Sequence, residues 1–273
     1  MAANHSVRVL VTFDCTHPNE SVLCQLARLI GADGLDVTGL YVEDEDLLRA
    51  ASLPGLREIS LSGQEVAMDA ARMAREIALE AAAAERAFEL LARRLAQEHA
   101  LLSHQFLVAR GHIAEEVGRA AAQSDFVMVT RALRATGLRP RLGRSYRDLV
   151  QRSKQVLFVN EPWASGTSVV VLNGSPAALD TAARLATAEG LRLVVALPPA
   201  EAPGADAASL PLRELPPGAV SRRLDSWREQ TIADLCLRED ARLLVVPGRD
   251  DLDWTELLLS LMDRLPCSVL KLA

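Results

Sequence analysis

Aromatic residues are scarce in this chain, and so are the marks of a membrane protein or a nucleic-acid-binding protein. Phe, Trp and Tyr together make up 4% of the 273 residues, whereas hydrophobic residues make up 49%. The core must therefore be built mainly from Ala, Leu and Val. No apolar run approaches the roughly 20 residues that a transmembrane helix needs, so we expect no membrane partner. The formal net charge of −6 argues against a dedicated nucleic-acid-binding protein.

Cysteine and histidine are also few, and their spacing matches no common metal or redox motif. The four cysteines occur without a CxxC pair, which predicts reduced thiols in a cytoplasmic protein. The first residues lack a basic segment followed by an apolar segment, so we expect no secretion signal. His17 and His112 follow predicted strands, but no third ligand has a diagnostic spacing. We therefore predict no metal site.

The first half of the chain has the pattern of an α/β protein. An apolar run at residues 7–13 predicts a strand, residues 22–30 have helical spacing, and residues 35–42 predict a second strand. This order is a βαβ unit, which indicates a parallel sheet. The later elements predicted in this half are a short helix at 44–51, a long helix at 64–99 or two helices with a kink there, a strand at 102–109, a helix at 113–122, a strand at 126–129, a helix at 146–153 and a strand at 156–159.

The pattern restarts after a linker at residues 161–166, at an offset of about 160 residues. We therefore predict two α/β domains, residues 1–160 and 167–273, each a mostly parallel five-stranded sheet flanked by helices. The second domain is shorter and lacks the long helix. Its predicted elements are strands at 168–172, 191–197, 210–215, 241–246 and 268–272 and helices at 177–188, 220–237 and 254–264.

Short motifs within this pattern are similar to those of one known family. The chain resembles the universal stress protein family at Val9-Leu10-Val11-Thr12-Phe13-Asp14, at Asn173-Gly174-Ser175, at Ser124-Asp125-Phe126-Val127-Met128-Val129 and at Leu265-Pro266-Cys267-Ser268-Val269-Leu270. The resemblance covers nearly the whole chain. It implies two tandem Rossmann-like domains of the adenine nucleotide α-hydrolase type and a regulatory role in the stress response.

The resemblance also implies a place for a nucleotide. Nucleotide-binding members of the family carry G-x2-G-x9-G-[ST] after the fourth strand, where glycines let the backbone approach phosphate closely. Here Gly143 fits the last glycine, Arg144 displaces Ser145 by one residue, and Thr130 and Leu133 replace the other two glycines. The motif in the first half is therefore degenerate. ATP or another adenine nucleotide is the implied cofactor.

Arginines are concentrated at this same segment. Seven of them occupy the span from residue 131 to residue 152, which we call the arginine cluster. Guanidinium groups are strong anion partners, so Arg131, Arg141 and Arg144 are candidate ligands for a phosphate. Two alternatives stay open: a solvated basic face, or a contact with an acidic protein surface.

The resemblance places the adenine and ribose contacts on Asp14 and on the backbone at Val42. From the residues alone, Asp14 is equally suited to cap the turn before the first helix. In the second half, Gly248 is followed by four acidic residues, which would repel phosphate. We therefore expect no nucleotide in the second half.

These features favour a binding and regulatory protein over an enzyme, because no general base beside a nucleophile can be identified. A ligand-free interaction scaffold and an ATP-hydrolysing enzyme are the alternatives. We also predict that the fifth strands, 156–159 and 268–272, pair with each other. The halves would then form an intramolecular pseudo-dimer that hides two apolar edges. A homodimer of the whole chain stays open.

Overall fold

The computed structural model describes residues 6–13, 34–59, 63–98, 101–131, 145–160, 166–172, 175–199, 215–248 and 252–273. Ten of its twelve strands form one large sheet, and the other two form a small hairpin. The strands are β1 (Ser6–Phe13), β2 (Gly34–Asp44), β3 (Arg57–Ile59), β4 (Glu65–Ala67), β5 (Leu101–Gly111), β6 (Phe126–Arg131), β7 (Gln155–Asn160), β8 (Ser168–Leu172), β9 (Arg192–Leu197), β10 (Val220–Arg223), β11 (Ala241–Val246) and β12 (Ser268–Lys271).

Helices cover both faces of the large sheet. They are α1 (Glu45–Ala51), α2 (Ala70–Glu98), α3 (Ile113–Ala122), α4 (Ser145–Arg152), α5 (Pro176–Glu189), α6 (Glu229–Arg238) and α7 (Leu252–Arg264). The long helix α2 and α5 pack on one face, and α3, α4, α6 and α7 pack on the other. The central strands are buried on both faces, as their continuous Val and Leu runs predict. Within the described ranges, no helix is long and apolar enough to cross a membrane.

The order of strands is the same in the two halves of the large sheet. From one edge to the other it is β5-β2-β1-β6-β7, then β12-β11-β8-β9-β10. Neighbouring strands are parallel within each group of five, and β7 and β12 are antiparallel to each other. The predicted α/β class with a mostly parallel sheet is therefore confirmed. The boundaries of two separate domains stay a prediction.

The predicted pairing of the fifth strands is confirmed at the join between β7 and β12, where Phe158 is opposite Val269. A buried amide reinforces this join. The Asn160 side chain donates from Nδ2 to the carbonyl oxygens of Leu265, at 2.9 Å, and Cys267, at 2.8 Å. Its backbone N–H donates to Ser268 Oγ at 2.9 Å. The two halves therefore share backbone pairing and a satisfied polar anchor.

The long helix begins later than its apolar spacing predicts. Residues 65–67 are β4, paired antiparallel with β3, and α2 begins at Ala70 rather than at residue 64. The cause is Asp69, whose Oδ1 accepts from the backbone N–H groups of Ala71, at 2.7 Å, and Arg72, at 3.1 Å. This is an N-terminal cap. Val66, which fits the helical spacing, is 46% exposed in the hairpin.

The predicted helix at residues 220–237 is wrong in its first half. Residues 220–223 are β10, parallel to β9, and the helix α6 begins only at Glu229. Pairing with the neighbouring strand decides this segment, and a single-sequence pattern does not record it. The predicted first helix, the linker up to residue 165 and the predicted strand at 210–215, apart from Leu215, lie outside the described residues.

Candidate functional site

The carboxyl ends of β1, β2 and β6 lie side by side at one end of the strands of the large sheet. We call this place the first-half edge; it is not an outer strand of the sheet. Strand β1 lies between β2 and β6 in the sheet. The next strand of the large sheet along the chain is β2, whereas β6 comes only after β5, so the order of strands reverses beside β1. Phe13, the last residue of β1, is opposite Tyr41, and the residue before it is opposite Val129. Val42 and Thr130 therefore lie one residue beyond, at the same edge. Ligands of doubly wound sheets bind at such a switch point.

The structure describes only part of the predicted site. Asp14, Arg141, Gly143 and Arg144 lie outside the described residues. Thr130 and Arg131 are the last two residues of β6, opposite Val159 and Asn160 of β7. Ser145 is the first residue of α4. The sheet therefore brings Val42, Thr130 and Arg131 to one edge, and the other positions stay predictions.

Val42 is buried in the structure. Its side chain is 8% exposed and belongs to the core between the sheet and the helices α3, α4, α6 and α7. The residue opposite it on the edge strand is Ala109. The backbone contact expected at Val42 stays a prediction.

A cleft of about 340 Å³ lies beside this edge, and no sequence motif predicts it. It is bounded by α1, the first turns of α2 and the end of β5. Arg49 and Arg110 contribute positive charge, but Arg49 is already paired with Glu45, at 3.3 Å from Nη2 to Oε1. Asp44 and Asp46 are close in sequence at the start of α1, where Asp44 caps the helix. The mixed charge does not make a phosphate cradle.

His112 is engaged in an ion pair at the same end of the sheet. Its Nδ1 lies 3.1 Å from Asp46 Oδ2, and this hydrogen bond, helped by the charge of Asp46, raises the pKa of His112. Among the residues that the structure describes, no three His, Cys, Asp or Glu side chains come together as a metal site. His17 lies outside them. The contact with Asp46 therefore gives His112 a role in holding α1.

One arginine of the cluster has a partner in the other half of the chain. Arg147 Nη2 lies 2.6 Å from Glu256 Oε1, and both side chains are about half exposed. Glu256 is one of the four acidic residues after Gly248, and Arg147 belongs to the arginine cluster. Within the structure these two charges offset each other between α4 and α7. No sequence signal links them, because they lie in different halves.

In the second half, the chain's own backbone and Trp254 fill the corresponding place, at the turn after β11. A side chain on Gly248 would lie 2.5 Å from the carbonyl oxygen of Leu272 and 2.5 Å from the carbonyl carbon of Ala273. The indole Nε1 of Trp254 donates to the carbonyl oxygen of Pro247 at 3.1 Å, and Trp254 is 7% exposed. The glycine of this loop is therefore explained by close backbone packing.

Asp125, part of one family-like motif, lies at the amino end of β6, whereas the candidate site lies at the carboxyl ends of the strands. Its carboxylate accepts from Arg8 Nε at 3.1 Å and from the Arg8 backbone N–H at 3.2 Å. Lys154 Nζ lies 3.3 Å away. The side-chain hydrogen bond from Arg8 is the main reason that the pKa of Asp125 is lowered to about 2. Asp125 therefore fastens β1 to the start of β6.

Comparison with known proteins finds similarity in structure and not in sequence. No protein-family model matches the chain, and no curated protein matches it. The chain is similar to the crystal structure of a universal stress protein from Archaeoglobus fulgidus DSM 4304, with a TM-score of 0.56 and 13% sequence identity. The match covers 97% of this chain and 96% of that chain. At this identity the likeness concerns the α/β, Rossmann-like fold.

Proposed function

We propose that this chain is a universal-stress-protein-like binding and regulatory protein of the cytoplasm, made of two tandem domains and without an enzymatic activity of its own. The observation that carries the proposal is the repeated strand order, with a switch point at β1 in one half and at β8 in the other. Similarity to a universal stress protein over 97% of the chain supports it. The pairing of β7 with β12 supports a pseudo-dimer of the two halves.

The ligand that we propose is ATP or another adenine nucleotide, bound at the first-half edge. Asp14 and the backbone of Val42 would hold the adenine and ribose, because both belong at the ends of adjacent strands. The phosphates would lie between the end of β6 and the start of α4, where Ser145 opens a helix and free backbone N–H groups favour an anion. The phosphate contacts would be Thr130, Arg131, Arg141, Gly143, Arg144 and Ser145.

The second-half edge is proposed to bind no nucleotide. The carboxyl-terminal backbone at Leu272 and Ala273 approaches Gly248 closely, and Trp254 is hydrogen-bonded over the same turn. A phosphate would have to displace these contacts. The acidic residues at positions 250, 251 and 253 add repulsion. The second half then serves as a structural partner of the first.

A ligand-free scaffold is the second candidate, and one observation favours it. The Arg147 guanidinium is already paired with Glu256, so part of the arginine cluster is satisfied within the chain. If the remaining arginines meet an acidic protein surface, their replacement should slow association, and the effect should depend strongly on salt. Nucleotide binding would then be absent.

The deciding experiment measures nucleotide binding by the full chain. Titration with Mg-ATP is compared for the parent, for Arg141→Ala with Arg144→Ala, and for Arg184→Ala as a control. Arg184 is a half-exposed arginine on α5 that pairs with Asp180 one turn away. We expect the double change to weaken ATP binding at least about 100-fold, because each lost hydrogen bond to a charged group costs about 1.5–3 kcal/mol. We expect the control to bind like the parent.

Mass spectrometry of the denatured protein gives an independent readout, because a nucleotide carried from the host should be released. A parent chain that neither carries nor binds a nucleotide would exclude the nucleotide site and leave the scaffold. ATP turnover that is lost in Asp14→Asn would overturn the proposal of a protein without enzymatic activity.

A further inference from the structure

The edge strand β5 is long and carries several exposed apolar side chains. It spans eleven residues and pairs with β2 on its inner side. No strand among the described residues pairs with its outer side. Leu102, Leu107 and Val108 are 53%, 43% and 50% exposed along it. A free edge with exposed apolar side chains is a template for another strand.

The other outer strand of the same sheet, β10, is protected against pairing with a further strand. Strand β10 has four residues, and two of them, Arg222 and Arg223, are exposed arginines. Short length and charge are two of the common means by which proteins prevent edge pairing. Strand β5 has neither, since its single Lys, Arg, Asp or Glu is Arg110 near its carboxyl end. The contrast indicates that β5 is covered by a strand in the assembled protein.

Two charged groups, one near each end of β5, indicate which charges a pairing strand must carry. Arg110, at the carboxyl end of β5, has no hydrogen bond or ion pair with any described residue. Near the amino end, His104 Nε2 lies 3.7 Å from Glu89 Oε2 of α2, and both side chains are exposed. A carboxylate therefore accompanies one end of the strand and a guanidinium the other. Such an edge is complementary to a reversed copy of itself.

The alternation of the strand places these groups on one face. Phe106 packs against Phe88 of α2, with ring centroids 5.6 Å apart, and His104 is also close to Phe88, at 6.2 Å. Residues two apart in a strand point to the same side, so Val108 and Arg110 share the α2 face with them. A twofold axis perpendicular to the sheet preserves that face in both copies.

We infer that two copies of this chain pair through β5, antiparallel, with Leu107 opposite Leu107 of the second copy. In this register Arg110 is opposite His104 of the second copy and reaches Glu89 beside it. Val108 is opposite Phe106. The interface is isologous, so the arginine–glutamate contact forms twice around an apolar centre. A foreign strand would have to supply both charges, whereas a second copy carries them already.

The test is the oligomeric state of the full chain by analytical ultracentrifugation over a range of concentrations. We expect a dimer. Arg110→Glu and Glu89→Arg should each raise the dimer dissociation constant about tenfold, because two exposed ion pairs become two repulsive contacts. The combined change should restore the affinity of the parent. Leu107→Lys, at the centre, should give a monomer, and Leu237→Lys, at a 60% exposed position on α6, should stay dimeric.

Hydrogen exchange provides a second measurement on the same samples. The outward amides of β5 should exchange more slowly above the dissociation constant than below it. A parent chain that is monomeric at every concentration would overturn the inference. So would a dimer that survives Leu107→Lys, since it would use another face, or a charge swap that restores nothing. None of these outcomes depends on nucleotide binding, so they leave the proposed function to its own test.

Discussion

Replacing Asn160 by alanine tests whether the join between the two halves depends on its buried amide. The side chain is 5% exposed, and Nδ2 donates both of its hydrogens to carbonyl oxygens of the segment before β12. The change removes both donors and leaves the carbonyl groups of Leu265 and Cys267 without them. The backbone hydrogen bond from residue 160 to Ser268 stays available, so the effect belongs to the side chain alone.

The expected cost follows from the two hydrogen bonds. A net loss of about 1–1.5 kcal/mol for each buried bond gives a decrease of roughly 2–3 kcal/mol in the free energy of unfolding. Urea denaturation, followed by circular dichroism with the slope compared between variants, measures it. Gln230→Ala is the matched control, because its amide lies on an exposed helix surface, where it donates to Asp234 and accepts from Arg264. It should cost less than about 0.5 kcal/mol.

A second substitution sharpens the result. In Asn160→Asp a carboxylate would face two carbonyl oxygens, so the charged form is disfavoured and the variant should be weakest at neutral pH. Its stability should rise as the pH falls and the carboxyl is protonated, because the new hydroxyl can donate to one carbonyl. An Asn160→Ala variant as stable as Gln230→Ala would refute the reasoning, since water would then satisfy both carbonyl groups.

Two further predictions concern a carboxylate and a pair of thiols. Because the pKa of Asp125 is lowered to about 2, its contribution to stability is complete above about pH 4 and is lost as the pH falls toward 2. After allowance for the exposed Arg8 side chain we expect about 1 kcal/mol, and Asp125→Asn should remove that part of the acid dependence in urea titrations. A contact with Cys267 and burial raise the pKa of Cys236, so both buried thiols should resist iodoacetamide in the native protein and react after unfolding. Peptide mass spectrometry reads each site, and native labelling at the unfolded rate would contradict this.

Local patterns in the sequence predict most of the sheet and its helices. Runs such as residues 168–172 and 241–246 are strands with the predicted bounds, because β-branched and leucine side chains suit strands buried on both faces. The helix at residues 113–122 is also confirmed. The errors occur where distant pairing or a cap decides the structure, as at Asp69 and at β10. Periodicity does not record either influence.

The candidate site shows a similar division. The order of strands predicts that Val42 and Thr130 reach one edge, and the register confirms that placement. The pairing of Arg147 with Glu256 and the closure of the second-half turn by Trp254 join residues that are distant in sequence or depend on how loops pack. No spacing rule contains this information. The resemblance to a family therefore predicts a site at these strand ends but does not predict the contacts that the chain itself makes there.

The antiparallel join between β7 and β12 determines where the strand ends of the two halves lie. Because β12 runs opposite to β7, the carboxyl ends of the second-half strands lie at the opposite edge of the sheet from the candidate site. At the first-half edge, Arg131 of β6 is opposite Asn160, which is bonded to the segment before β12. The second half thus reaches the candidate site as a support for β7, next to the strand that carries Arg131. We interpret its filled turn accordingly: the second half supports the strand ends at which the nucleotide site of the first half is proposed.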